Sequence, residues 1–211
     1  MNRLIRAVFE TLEYPLFSSA DLQNIEPEDN IRFALVKRAL HDGDLIQLKR
    51  GLYTLSGSLR KKNLAPGLIA NRLYFPSYVS FEYALSFHGW IPERVATITC
   101  ATPKNAASFD NPLGRFSYTR IPQVMFFCGV ETSSADGESF LLARPLKALA
   151  DYVYARKLDW TNRRPLLESL RIEDEELESL TSEDFIEIQG NYHTAAKVET
   201  FLSGLREDLN L

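Results

Sequence analysis

The chain has 211 residues, a formal net charge of −4 and a hydrophobic content of 45%. Because it has no run of about 18 apolar residues and no apolar signal core, we expect a globular cytoplasmic protein that does not contact the membrane. The two cysteines, Cys100 and Cys128, have neither metal-site spacing nor a disulfide framework, which favours burial as small hydrophobic side chains.

The N-terminal stretch has the pattern of two short helices. Residues 4–12 carry apolar side chains at helical spacing, and Pro15 follows their end. Ser18 and Asp21 have the spacing of a capping box, which predicts the start of a second helix. Pro27 lies in the turn before a third.

Residues 29–55 predict a third helix that leads into a β-hairpin. The helix carries apolar residues on one side, at Ile31, Leu35, Val36, Ala39 and Leu40. Gly43 ends it, and the pattern then alternates with period two, which is typical of a strand. Lys49 and Arg50 lie at the tip of the hairpin, before Gly51, which supplies the freedom in φ that a tight turn needs.

The opposite arc of the third helix has residues that could meet DNA. Its members are Asn30, Ala34, Lys37, Arg38 and His41. Asn can pair bidentately with adenine, Lys and Arg can reach guanine or phosphate, and a small Ala permits close approach. Taken alone, the arc is more simply a solvated helix face. The basic hairpin tip favours DNA, because it is placed to reach phosphates or the minor groove beside the same site.

Three short helices followed by a hairpin are the element order of a winged helix-turn-helix, which we predict for residues 1–57. The charge supports this division. Residues 1–62 hold ten Lys plus Arg against eight Asp plus Glu, whereas residues 63–211 hold fourteen against twenty. Because the first part is only weakly basic, we expect salt-sensitive binding to double-stranded DNA that depends on a dimer or a paired site.

The second predicted domain covers residues 64–211, after a polar basic linker. We expect an α/β domain with an antiparallel sheet and a helical C-terminus, which makes the whole chain α+β. Predicted helices cover residues 64–74 and 80–88, a segment starting at Pro145, and much of residues 164–209. Predicted strands cover residues 95–101, 114–121, 123–132 and 138–143, the last two as a hairpin.

No pattern predicts an enzyme, so we expect no catalytic residue, metal or cofactor. The three histidines, His41, His88 and His193, have no His-x-x-x-His spacing. The sequence has neither a Gly-rich phosphate loop nor a Gly-x-Ser-x-Gly elbow. Residues 168–187 hold nine carboxylates against Arg171 alone, and we expect this acidic segment to be solvated and to repel phosphate.

Four segments occur in an order that resembles a known family. They cover residues 50–53, 76–89, 140–143 and 144–151. In this order they resemble the AbiEi-type antitoxins of bacterial type IV toxin–antitoxin systems, also described as regulators of viral defence. The resemblance implies an N-terminal domain that binds inverted repeats in its own promoter. It also implies a C-terminal domain that counters a nucleotidyltransferase-like toxin encoded nearby, without necessarily touching it.

The resemblance places Lys37, Arg38, Lys49 and Arg50 on the helix and wing positions that would meet DNA. Four further residues match recurring segments of the family, namely Ser80, His88, Lys147 and Asp151. For these a structural account is simpler: a helix cap at Ser80, a helix C-terminus at His88, and an i,i+4 surface pair for the other two.

Two other functional classes fit the same sequence. One is a stand-alone winged-helix transcription factor with no toxin partner. The other is a protein-interaction module, because a winged helix can bind protein and the fold alone does not fix the function.

Overall fold

The computed structural model describes residues 1–121, 124–192 and 195–211. Gln123, where a strand was predicted to begin, and His193 lie outside the described residues. In the N-terminal segment, which we define as residues 1–57, the elements are α1 (Arg3–Thr11), β1 (Phe17–Ser18), α2 (Ser19–Ile25), α3 (Asp29–His41), β2 (Leu45–Lys49) and β3 (Leu52–Leu55).

The capping box that precedes α2 is confirmed. The Asp21 carboxylate accepts hydrogen bonds from the backbone N–H of Ser18 at 2.6 Å and from its hydroxyl at 2.8 Å, and the Ser18 hydroxyl accepts from the Asp21 N–H at 3.3 Å. These bonds, the one from the backbone N–H first, hold the pKa of Asp21 below its usual value. At the start of α1, the Asn2 side chain accepts from the N–H of Ile5.

Strands β1, β3 and β2 form a three-stranded antiparallel sheet in that order. The turn between β2 and β3 contains Gly51, whose φ of +81° favours glycine. A β-bulge between Gln47 and Lys49 interrupts the alternation that the sequence predicts. The core of the N-terminal segment comprises Leu4, Ile5, Val8, Phe17, Leu22, Ala39, Leu45, Tyr53 and Leu55.

The C-terminal segment, which we define as residues 64–211, begins with α4 (Pro66–Leu73), β4 (Tyr78–Val79), α5 (Phe81–Phe87), β5 (Thr97–Thr102), β6 (Ala107–Asn111), β7 (Gly114–Arg120), β8 (Val130–Ala135) and β9 (Glu138–Ala143). It continues with α6 (Pro145–Arg156), α7 (Arg164–Ser169), α8 (Asp174–Glu178), α9 (Ser182–Ile188) and α10 (Ala196–Asp208). The chain is therefore α+β, and the predicted helical C-terminus is confirmed.

The six-stranded sheet of the C-terminal segment is mixed, which corrects the predicted antiparallel sheet. Its order is β6-β7-β5-β4-β9-β8, and the pairs β5–β7 and β4–β9 are parallel. The parallel pairs arise because neither is joined by a hairpin. After β5 the chain passes to the edge as β6 and returns inside it as β7, whereas β4 and β9 are far apart in sequence.

Besides β1 of the N-terminal segment, two strands of the C-terminal segment were missed and one was misplaced. β4 has only two residues and directly follows Ser77, so its pattern is too short to detect, and β6 is a half-exposed edge strand. The strand predicted over residues 123–132 begins instead at Val130, because residues 124–129 form turns. Of the large apolar residues in these turns, Phe126 packs with its ring 4.8 Å from that of Tyr78, whereas Val124, Met125 and Phe127 are exposed.

The hairpin of β2 and β3 lies between the two segments. Leu48 is 3% exposed and belongs to the core of the C-terminal segment, and Ile46 and Leu52 pack against that core. The side-chain amide of Asn111, at the end of β6, donates to the Leu48 carbonyl at 3.4 Å. One face of the hairpin sheet therefore covers the N-terminal core and the other face covers the C-terminal core. The predicted division at residues 57 and 64 stays a prediction.

Among the described residues, no helix combines the length and apolar character that a membrane span requires.

Candidate nucleic-acid interface

The structure places all five predicted groove residues on the exposed side of α3. Asn30, Ala34, Lys37, Arg38 and His41, which we call the polar face, are exposed. The side chains of Arg38 and His41 are 74% and 88% exposed. Phe33, which the sequence reasoning missed, is exposed beside them; its position one turn after Asn30 was the available signal.

The opposite side of α3 is held against the N-terminal core. Ala39 is fully buried, and Leu35, Val36 and Leu40 are partly buried against the same core. The side-chain amide of Asn2, the N-cap of α1, donates to the Leu35 carbonyl at 2.9 Å. Four of the five predicted apolar residues therefore fix which side of the helix is free to meet a partner, whereas Ile31 is half-buried outside this core.

Arg32 fixes the start of α3. Its side chain is buried, and one guanidinium nitrogen donates to the carbonyls of Glu26 at 2.8 Å and Pro27 at 3.1 Å. A second nitrogen is paired with Asp29. Because Glu26 is the C-cap of α2, Arg32 connects the two helices across their turn. In a count of charges this arginine is one more surface cation. In the structure it is buried and holds the start of α3 against the end of α2.

The C-terminal end of the polar face carries one carboxylate. Asp42 lies 3.5 Å from the Arg38 guanidinium and 3.2 Å from the His41 ring nitrogen Nδ1. The hydrogen bond from His41, and then the charge of Arg38, hold the pKa of Asp42 below its usual value. Lys37 has no ion-pair partner among the described residues. Lys37 is therefore the cation of this face with the least competition for phosphate.

The structure separates the two cations predicted at the hairpin tip. Arg50 is exposed in the turn. The ammonium group of Lys49 instead donates to the carbonyl of Leu73 at 2.6 Å, and its side chain is half-buried. Leu73 is the last residue of α4, where the helix carries a partial negative charge that a cation stabilises. The expected Lys49–Arg50 pair is thus corrected: Lys49 joins the two segments, and Arg50 remains as the wing cation.

The four residues of the C-terminal segment that matched the AbiEi-type segments are largely placed differently than predicted. Lys147 and Asp151 form a fully buried pair, 2.8 Å apart, not a surface pair. Ser80 precedes α5 but makes no side-chain cap hydrogen bond; its hydroxyl donates to Asp151 at 2.7 Å. His88 is confirmed at the C-terminus of α5, with its Nε2 2.9 Å from the Ala143 carbonyl oxygen.

Two tyrosines also belong to this buried cluster. The Tyr78 hydroxyl donates to Asp151 at 2.8 Å, and the Lys147 ammonium donates to the Tyr192 hydroxyl at 2.6 Å. The ammonium also lies 5.2 Å and 4.9 Å from the two ring centroids. Burial lowers the pKa of Lys147, and the charge of Asp151 opposes that shift. The cluster joins β4, α6 and the stretch before α10, and the simplest role for side chains this buried is structural.

Both cysteines are free. Cys100 is buried as predicted, and burial raises the pKa of its thiol. Cys128 is only partly buried, and its thiol donates to the Glu187 carbonyl at 2.7 Å.

The acidic stretch at residues 168–187 is partly neutralised by arginines from elsewhere. Arg144 pairs with both Asp184 and Glu187, and Arg163 pairs with Asp174. Within the part of the chain that the structure describes, no group of three or more potential ligand side chains could hold a metal ion.

No protein-family model matches the chain, and no curated protein matches it at a significant level. In the structure, residues 76–89 lie beside the consecutive segments 140–143 and 144–151. Val79 of β4 is paired with Leu142 of β9, and α5 packs on α6. The bond from Ser80 to Asp151 connects the first of these segments to the last.

Proposed function

We propose that the N-terminal segment is a winged helix-turn-helix that binds double-stranded DNA, and that the protein is a transcriptional repressor. The order of elements supports this, because α2 and α3 are joined by a short turn and α3 leads directly into a hairpin. A third strand, β1, pairs with β3 as in winged-helix sheets.

The observation that carries the proposal is the polar face of α3. Four of its members can donate hydrogen bonds or carry positive charge towards DNA, namely Asn30, Lys37, Arg38 and His41. Ala34 has a short side chain in the middle of this face, so that the helix axis can approach the base edges. An α-helix of about 10–12 Å diameter fits the major groove of B-form DNA.

The wing contributes less than the sequence predicted. With Lys49 bonded to α4, Arg50 is the hairpin cation that remains exposed for phosphate or the minor groove. So small a positive surface favours binding as a dimer on inverted repeats, because two weak half-sites combine on one DNA molecule.

Footprinting of the full chain on the DNA upstream of its own gene tests the proposal. We expect two protected half-sites with centres about 10–10.5 base pairs apart, or a multiple of that spacing. A uniform pattern of weak protection, equal on unrelated DNA, would contradict a sequence-specific repressor.

At a finer level, we propose that the protein is a cytoplasmic, non-enzymatic antitoxin of the type IV class, which represses its own operon and counters a nucleotidyltransferase-like toxin. The contacts of residues 76–89 with residues 140–151, which include the bond from Ser80 to Asp151, support this reading. Co-expression with the product of a neighbouring nucleotidyltransferase gene should restore growth without a stable complex. Growth inhibition that persists would leave the stand-alone transcription factor as the better account.

One observation favours the protein-interaction module as a second candidate. Phe33 exposes 64% of its surface on the face that would meet a partner, and exposed aromatic side chains are common anchors of protein interfaces. Under this alternative, the footprinting experiment would give no protection.

A further inference from the structure

Phe33 is a large apolar side chain that α3 leaves in solvent. It is 64% exposed, and it lies one helical turn from both Asn30 and Lys37. A single exposed aromatic residue needs no special explanation by itself. Two features distinguish Phe33 from an incidental surface residue: the contact of its ring with a cation, and its neighbours on α3.

The ring of Phe33 contacts a cation that is itself fixed. The Arg32 guanidinium carbon lies 5.4 Å from the ring centroid. Arg32 is 8% exposed and bonded to the carbonyls of Glu26 and Pro27, so it cannot follow the ring into another position. A ring that is ordered before binding loses less conformational entropy when a partner covers it.

The location of the ring selects its target within DNA. The N-terminal half of a recognition helix is the part that contacts base edges, and Phe33 lies in that half of α3. In the major groove, the apolar group that a base presents is the C5-methyl of thymine. We infer that Phe33 is a specificity-determining residue that contacts a thymine methyl group. This inference rests on the proposed DNA-binding function.

The surroundings of Phe33 favour DNA over a protein partner. An anchor for a protein partner would be expected within a continuous apolar patch. On α3 the ring is instead accompanied by the amide of Asn30 and the cation of Lys37, which complement bases and phosphates, while the nearby carboxylate of Asp29 is paired with Arg32.

Replacement of thymine by deoxyuridine removes only the methyl group and therefore tests the contact directly. The probe is a duplex selected from a random pool by the full chain, compared with versions that carry deoxyuridine at single positions. We expect at least one substitution to weaken wild-type binding about fourfold, the effect of one buried methyl group. Phe33→Ala should bind both duplexes equally, Phe33→Leu should keep part of the difference, and Lys37→Ala should keep all of it.

The possible failures are distinguishable. If the wild-type chain selects and binds no duplex, both the proposed function and this inference are overturned. If it binds but no deoxyuridine substitution matters, or if Phe33→Ala keeps the full methyl dependence, the inference alone is overturned. Because Phe33 is exposed, both of its variants should unfold at the wild-type denaturant concentration, so that a loss of binding reports contact and not folding.

Discussion

Two arginines of α3, six positions apart, have opposite environments. Arg32 is buried and donates to two backbone carbonyls, whereas the Arg38 side chain is 74% exposed. Helical periodicity alone would place Arg32 towards the core, yet a charged residue there conflicts with the usual preference for the surface. Its partners, which resolve the conflict, are the carbonyls at the end of α2. Such carbonyls are present in every sequence, so residue types give no signal of them.

This pair gives a matched prediction. Arg32→Ala should lower the free energy of unfolding by about 1.5–3 kcal/mol, because it removes charge-assisted hydrogen bonds to buried carbonyls. Arg38→Ala should change it by less than about 0.5 kcal/mol, as is usual for an exposed site. Urea unfolding of the full chain measures both. Equal effects of the two substitutions would contradict the role assigned to Arg32.

At the scale of elements, the buried cluster explains how β4, α6 and the stretch before α10 are joined. Lys147 and Asp151 have i,i+4 spacing, which in sequence is typical of an exposed helical pair. The structure buries both, because α6 is covered on one side by α5 and on another by α10. Helical spacing can be predicted from sequence, but the number of sides on which a helix is covered depends on contacts between distant segments.

Removal of one partner of this pair should be far more costly than removal of one partner of an exposed pair. Lys147→Ala should destabilise the chain by about 3–5 kcal/mol, because Asp151 would stay buried without its ammonium partner. Arg164 and Glu168 have the same spacing but are 78% and 59% exposed, so Arg164→Ala should have a far smaller effect on the free energy of unfolding.

The double variant Lys147→Met with Asp151→Leu serves as the control for charge. It removes both charges at similar volume, but it also removes the carboxylate to which the Ser80 and Tyr78 hydroxyls donate, so it should recover only part of the stability that Lys147→Ala loses. Thermal or urea unfolding gives the comparison. If the double variant is less stable than Lys147→Ala, the cluster stabilises the fold by interactions other than the pairing of its two charges.

The hairpin makes a second prediction at this scale, because its two cations have different roles. Lys49→Ala should reduce stability by about 1 kcal/mol through loss of the bond to Leu73, and it should leave the salt dependence of DNA binding unchanged. Arg50→Ala should leave stability unchanged and lower the slope of log K against log salt by about 0.9, which corresponds to one phosphate contact. If Lys49→Ala lowered the salt slope and Arg50→Ala reduced the stability, the role of Lys49 as a DNA contact, which the sequence predicted, would be supported instead.

At the scale of the whole molecule, the hairpin connects the proposed DNA-binding unit to the C-terminal segment. Leu48 lies in the C-terminal core although its neighbour in sequence Lys49 was predicted as a DNA contact. The sequence pattern correctly indicated the helices of the N-terminal segment, the polar face of α3 and the hairpin. It could not indicate that the second face of the hairpin packs on the C-terminal core. The same alternating pattern of apolar residues fits a hairpin whose second face meets solvent.

The most direct test of the central claim is the salt dependence of DNA binding by the full chain, measured between roughly 50 and 200 mM salt. Lys37→Ala with Arg38→Ala should weaken binding to the footprinted duplex at least tenfold and lower the salt slope by about 1–2. Arg94→Ala with Arg115→Ala removes two exposed cations of the C-terminal segment, and it should change neither quantity. Equal behaviour of the two double variants would contradict DNA binding through the polar face of α3.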